Sequence, residues 1–157
     1  MNKMGLAALV ESLRTTRFQH RTGVALLPPQ HLGHEATLAA RLDIDAVDLR
    51  AWVLERLQPG QRWLDLTLHR LAWEYLRAIA AEPHPGGCVL VANVDLFLAG
   101  LPMEQRRECW RYLFRALRPD RGLILALPDG AEHLFPADER RAWEIASRLA
   151  VLDGVAE

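Results

Sequence analysis

The run Cys88-Val89-Leu90-Val91-Ala92-Asn93 decides the fold class of this chain. An unbroken apolar run that ends in a polar residue is typical of a strand buried on both faces, as in a parallel sheet. Similar runs occupy residues 23–27 and 123–127. Helix-like segments separate the runs, so we expect right-handed crossovers. The pattern therefore predicts an α/β three-layer sandwich with a mostly parallel sheet.

Strand and helix patterns alternate along the whole chain. Strands are expected at residues 23–27, 44–49, 88–93, 123–127 and 148–152. Helices are expected at residues 6–17, 34–42, 50–57, 61–81, 103–117 and 136–145. No internal repeat interrupts this order, and 157 residues suit one ordinary domain. We therefore expect residues 1–157 to form a single domain that begins with a helix inside residues 1–17.

Composition and charge exclude several classes of protein. Half of the residues are hydrophobic, a quarter are charged, and the net charge is −1, so no global field attracts nucleic acid or an acidic membrane. No apolar run approaches the about 20 residues that span a bilayer. Glu11 and Arg14 come too early for a signal peptide. Cys88 and Cys109 lack metal-ligand spacing, so we expect buried thiols in a cytoplasmic protein, without a metal site.

Residues 28–35, Pro-Pro-Gln-His-Leu-Gly-His-Glu, connect the first predicted strand to a helix. A phosphate-binding loop has this strand–loop–helix context. When the pattern G-x-x-x-x-G-K-[ST] is placed over these residues, only Gly33 agrees. Pro28 stands at the first glycine, His34 at the lysine and Glu35 at the hydroxyl that binds magnesium. Three interpretations follow: a vestigial phosphate loop, an ordinary proline-stiffened connection, or a working loop whose free amides attract an anion.

The ends of the two other apolar runs lack the matching catalytic groups. In P-loop ATPases a buried strand ends in an aspartate that holds magnesium. Asn93 stands at that position, and an amide attracts a hard dication less strongly than a carboxylate does. If Asp95 is the counterpart instead, Leu96 follows it where a glutamate should activate water. The run at 123–127 ends in Leu127-Pro128, with no polar side chain to contact a γ-phosphate. Together these absences argue against hydrolysis.

The order of elements over residues 18–152 resembles the P-loop ATPases of the AAA+ and RecA-like kind. Residues 89–98, Trp110 and residues 122–128 look like the small P-loop-like proteins of bacteriophage-exclusion (BREX) defence systems. That resemblance implies a short bacterial protein that accompanies a large ATPase, a DNA methyltransferase and a phosphatase-like protein. The expected function is a non-catalytic adaptor or subunit with protein partners, indirect access to DNA and no cofactor. The alternative is an active nucleotide-binding protein that uses ATP with Mg²⁺.

Four arginines form a stripe along the helix predicted at 103–117. Arg107, Arg111, Arg115 and Arg118 are spaced by four, four and three residues, which places them on one side of a helix. Such a stripe can contact DNA phosphates or an acidic partner. The alternative is the solvated outer face of an amphipathic helix, which the near-neutral charge favours. No interleaved aromatic residue is expected to point outward from this stripe, so no platform for base stacking is expected.

Five tryptophans are more than a core of this size requires. Trp110 lies on the apolar side of its helix and is expected in the core, whereas the other four are hard to bury together: Trp52, Trp63, Trp73 and Trp143. Tryptophan and arginine are favoured at interface hot spots. A partner-binding face is therefore predicted along one side of the long helix: Leu66, His69, Arg70, Trp73 and Arg77. The alternative is a helix buried on two sides.

Overall fold

The computed structural model describes residues 4–15, 21–60, 67–119, 121–131 and 133–152. Five strands are formed there: β1 (Thr22–Leu27), β2 (Asp45–Asp48), β3 (Cys88–Ala92), β4 (Gly122–Pro128) and β5 (Leu149–Val151). They make one sheet in the order β2-β3-β4-β1-β5, and every neighbouring pair is parallel. The predicted α/β class and all five predicted strands are confirmed.

The described helices fall close to their predicted positions. They are α1 (Leu6–Thr15), α2 (Glu35–Arg41), α3 (Leu49–Glu55), α4 (Arg77–Ala81), α5 (Val94–Ala99), α6 (Met103–Arg111) and α7 (Ala137–Ile145). A first π-helical segment, His69–Leu76, leads into α4, and a second, Tyr112–Ala116, continues α6. Helix α5 was not predicted. Residues 16–17 and 61–66 of two predicted helices lie outside the described residues.

The burial of each strand explains why β1 and β3 are continuous apolar runs whereas β2 is partly polar. All six residues of β1 and all five of β3 are buried, as continuous apolar runs require. Strand β2 lies at one edge of the sheet and alternates between half-buried and exposed residues. Its first and last residues, Asp45 and Asp48, are polar for that reason. An edge strand with charged side chains also resists pairing with another chain.

Helices cover both faces of the sheet. Alternate residues of a strand point to opposite faces. Ala25 and Leu27 therefore pack in the core that α1 and α2 cover, while Val24 and Leu26 pack in the larger core on the other face. Helices α3 to α7 contribute to that larger core. Among the described residues, no helix is long and apolar enough to cross a membrane.

Two tryptophans form the centre of the larger core. Trp110 is fully buried, as predicted, and its Nε1–H donates to the carbonyl oxygen of Leu134 at 2.7 Å. Trp143 is only 1% exposed, and its ring meets those of Trp110 and Phe114 edge to face at 5.9 and 5.2 Å. Of the tryptophans expected to be hard to bury together, Trp143 is therefore in the core, whereas Trp73 stays 43% exposed. Helix α7 packs against α6 and brings the rings together.

A buried arginine joins the amino ends of β1 and β5. The Arg148 guanidinium donates from Nε to the carbonyl oxygen of Thr22 at 2.7 Å, from Nη1 to that of Phe114 at 3.0 Å, and from Nη2 to the Thr22 hydroxyl. It also lies over the rings of Phe114 and Trp143, 4.3 and 4.6 Å from their centroids. Burial lowers the pKa of Arg148 to about 10. Arg148 therefore ties the amino ends of β1 and β5 together.

We expect Gly122→Ala to destabilise the fold by about 1–3 kcal/mol, because the added methyl overpacks a closed space. A Cβ at Gly122 would lie 2.5 Å from Cys88 Sγ and 3.0 Å from Leu13 Cβ. Gly130→Ala is the matched control, since a Cβ there meets no atom within 4 Å. Urea denaturation of both variants measures the difference. Equal stabilities would show that β3, β4 and α1 do not pack this closely.

We expect neither thiol to react with a thiol reagent until the chain unfolds. Cys88 and Cys109 are both buried and unpaired, as predicted. Burial raises the pKa of the Cys88 thiol, and it raises that of Cys109 to about 12, so the reactive thiolate is scarce at mildly alkaline pH. Labelling should rise from none to both thiols through the urea transition. Rapid labelling without denaturant would contradict the buried positions.

Candidate functional site

The candidate site lies at the carboxyl edge of the sheet. In an open parallel sheet, ligands bind where neighbouring strands send their following helices to opposite faces. Here the helix after β1 packs on one face, whereas the helices after β3 and β4 pack on the other. The end of β4 is closed by backbone contacts, because Asp129 N–H donates to Leu27 O at 2.9 Å. The β1–α2 loop therefore occupies the position that the sequence assigned to a phosphate loop.

The backbone N–H groups of the β1–α2 loop donate hydrogen bonds within the loop itself. Residues Pro29–His31 form a 3₁₀ turn after Pro28. The N–H of His31 donates to Pro28 O at 3.0 Å, that of Leu32 to Pro29 O at 3.2 Å, and that of His34 to His31 O at 3.0 Å. A phosphate loop instead directs its amides at the ligand.

The Glu35 side chain accepts a hydrogen bond from a fourth backbone N–H of the same loop. Gly33 has a φ of 82°, a left-handed conformation that glycine adopts without strain. Its N–H donates to Glu35 Oε1 at 3.2 Å. Of the five N–H groups in residues 28–34, four are therefore bonded inside the loop, and the two prolines have none. A carboxylate already stands against the one glycine that agrees with the phosphate-loop pattern.

His34, predicted at the lysine position, lies on the solvent-exposed side of α2. A cavity of about 270 Å³ opens there, lined by Gln30, His31, His34, Thr37, Leu38 and Arg41. The His31 Nε2 atom is buried and has no hydrogen-bond partner among the described residues. The side chains of the loop therefore surround an outer cavity beside α2.

Asn93 lies at the carboxyl end of β3, as predicted, but its amide is engaged by the neighbouring strand. Its backbone is left-handed, with φ 64°, and its Nδ2–H donates to Asp48 Oδ1 at 2.8 Å. The same Asp48 carboxylate caps α3 by accepting from Arg50 N and Ala51 N at 3.0 and 3.3 Å. Asp95 lies in the first turn of α5. Across the described ranges, no cluster of three or more histidine, cysteine, aspartate or glutamate side chains is placed to hold a metal ion.

The predicted partner face is exposed at its centre. Trp73, in the first π-helical segment, is 43% exposed. Its ring meets those of His69 and Tyr112 edge to face, with centroids 5.2 and 5.5 Å apart. Arg77 is also exposed and Arg70 is half-buried, whereas Leu66 lies outside the described residues. Exposure at Trp73 contradicts the alternative of a helix buried on two sides. Tyr112, which the sequence analysis did not select, belongs to the same surface.

The predicted arginine stripe divides into two halves. Arg107 Nη1 lies 2.6 Å from Asp138 Oδ2, and Arg111 Nε lies 2.9 Å from Glu139 Oε1. These pairs join α6 to α7, and the hydrogen bond from Arg107 lowers the pKa of Asp138. Arg115 and Arg118 are exposed beyond that contact. Arg118 lines the same cavity as Tyr112.

Comparison of the chain with protein-family models, with curated proteins and with solved structures finds no match. Function must therefore be inferred from the chain's own geometry. That geometry closes the β1–α2 loop on itself and ties Asn93 to Asp48. It leaves Trp73 43% exposed, with His69 and Glu74 paired beside it at 3.4 Å.

We expect Asn93→Asp to lower the free energy of unfolding at neutral pH by about 1–2 kcal/mol. The variant lacks the hydrogen bond from the Asn93 amide to Asp48 and places a second carboxylate beside that of Asp48. Asn93→Gly is the control, since it keeps the left-handed backbone without adding a charge. Thermal unfolding should show that acid or millimolar Mg²⁺ restores part of the loss in Asn93→Asp alone. Identical behaviour of the two variants would mean that the Asn93–Asp48 contact does not form.

Proposed function

We propose that this protein is a non-catalytic, ATPase-like adaptor or subunit of a multiprotein complex. The observation that carries the proposal is the closed β1–α2 loop, whose amides are bonded internally and whose Gly33 N–H faces Glu35. The resemblance to BREX proteins supports an antiphage complex in the bacterial cytoplasm as its setting. On this proposal the chain provides binding surfaces, and a partner protein carries out catalysis.

The sheet supports the ATPase-like part of the proposal. Strand β4 lies between β1 and β3, so the loop after β1 and the end of β3 flank the end of β4. This is the arrangement expected of a RecA-like nucleotide-binding domain. Such a frame would place Gly33 and Asn93 at the old phosphate and magnesium positions.

Electrostatics at the carboxyl edge support the non-catalytic part. A triphosphate brings several negative charges, and Glu35 adds another at the amide that would receive them. The lysine that would offset this charge is replaced by His34, which lines the outer cavity. Leu127 is buried and Pro128 has no N–H, so neither of the last two residues of β4 offers a polar donor to a phosphate. We therefore propose no cofactor.

The surface around Trp73 supports the adaptor role. A half-exposed tryptophan with neighbouring arginines has the composition of an interface hot spot. Direct DNA binding is not part of the proposal, because the net charge is −1 and half of the arginine stripe is paired with α7. DNA would be reached through the partner.

We expect no rise in melting temperature when Mg-ATP or Mg-ADP is added at millimolar concentration. A ligand that binds the folded state raises the melting temperature through linkage. Glu35→Gln serves as the matched variant, because it keeps an acceptor for Gly33 N–H and removes the charge. A nucleotide-dependent rise in the unmodified chain would contradict the proposal and support the alternative, an active nucleotide-binding protein that uses ATP with Mg²⁺.

We expect Trp73→Ala to abolish co-purification with the products of neighbouring genes while costing at most about 1 kcal/mol of stability, because its side chain is half exposed. Trp143→Ala is the contrast: it removes a buried ring and should cost about 3–5 kcal/mol. Co-expression with pull-down and urea denaturation provide the two readouts. If the unmodified protein does not co-purify with any product of the neighbouring genes, the partner face is contradicted. A large loss of stability in Trp73→Ala would contradict it as well.

A further inference from the structure

A cavity of about 340 Å³ opens beside Trp73, between α4 and the second π-helical segment. Its walls carry Arg77, Arg118 and Tyr112, and its apolar floor includes the buried Ala80 and Leu117. Among the described residues, no carboxylate lines it. The cavity therefore combines two arginine side chains with a small apolar base.

Both π-helical segments meet at this place. The Trp73 ring belongs to the first segment and contacts the Tyr112 ring of the second, with centroids 5.5 Å apart. The second segment closes with a bond from Leu117 N–H to Tyr112 O, five residues back, at 2.9 Å. π-Helical turns are rare and occur frequently at functional sites. Two of them in contact single out this surface from the rest of the helical layer.

The polar groups of the cavity favour a carboxylate. Burial raises the pKa of Tyr112, and nearby Arg77 opposes part of that rise, so the phenol stays protonated and can donate. Arginine binds carboxylates through a planar fork of N–H donors. Arg115 is exposed on the second π-helical segment and Arg70 is half-buried on the first, and both add positive charge to these segments.

We propose that the cavity and the Trp73 ring form a docking site for an acidic segment of a partner protein. One aspartate or glutamate carboxylate enters between Arg77 and Arg118, and a neighbouring apolar side chain packs against Trp73. The inference rests on the proposed adaptor role and names the chemistry of the partner.

Several observations favour a protein segment over a nucleic acid. The cavity holds about 340 Å³, which suits one acidic side chain better than a continuous phosphate backbone. The arginines that would extend a phosphate-binding row, Arg107 and Arg111, already pair with Asp138 and Glu139. The chain as a whole carries a net charge of −1.

Selection from a random-peptide display library against the full chain tests this site. Enriched peptides should contain more aspartate and glutamate than the library, next to aromatic or aliphatic residues. The best peptide, synthesised with a fluorophore, should bind at least about tenfold more weakly to Arg77→Glu and to Trp73→Ala. Arg50→Glu is the matched control, because it makes the same charge change at an exposed arginine on α3 and should bind like the unmodified chain.

Charge reversal separates direct contact from misfolding. A peptide whose acidic residue is replaced by lysine should regain affinity for Arg77→Glu, which a merely unfolded variant cannot show. The site is overturned if no peptide is enriched, if enriched peptides lack acidic residues, or if Arg77→Glu binds as well as Arg50→Glu. Displacement of the peptide by single-stranded oligothymidylate at lower concentration would assign the surface to nucleic acid and also overturn the proposal.

The nucleotide titration keeps the two proposals distinguishable. If Mg-ATP raises the melting temperature while peptide binding behaves as expected, the non-catalytic role fails and the docking site stands. If nucleotide has no effect and the peptides fail, the docking site falls while the closed loop still argues against ATP binding.

Discussion

The pairing of β4 with β1 is the constraint on which the rest of this structure depends. Six residue pairs join the two strands, from Thr22 with Leu123 to Leu27 with Pro128. Because β4 also pairs with β3, it lies at the centre of the sheet and fixes the distance between the loops that follow β1 and β3. This close central packing leaves room only for hydrogen at Gly122, where Cys88 and Leu13 approach.

That frame supports two regions of opposite character. At the carboxyl edge, polar groups are satisfied inside the chain: Gly33 by Glu35, and Asn93 by Asp48. On the helical layer that holds both π-helical segments, Trp73 is left half exposed beside cations. The carboxyl edge is thus tied together by hydrogen bonds within the chain, whereas the helical layer keeps a large aromatic ring exposed.

Much of this fold could be predicted from the sequence, because buried parallel strands produce continuous apolar runs. Helix α5 was missed because the left-handed turn at Asn93 reads as a loop, and Val94–Ala99 continues an apolar run without helical periodicity. The burial of Trp143 and the pairing of Arg107 depend on the packing of α7 against α6. The spacing of residues along the chain does not predict such contacts between two helices. Likewise, Tyr112 joins the Trp73 surface only through tertiary packing of two π-helical segments.

The bond from Gly33 N–H to Glu35 has a consequence for regulation. A carboxylate two residues away is tethered at a constant, high local concentration, whereas a soluble nucleotide rises and falls with the metabolic state of the cell. A switch protein converts that rise and fall into a change of shape. Under the proposed function, a loop closed by its own side chain keeps one conformation whatever the nucleotide concentration.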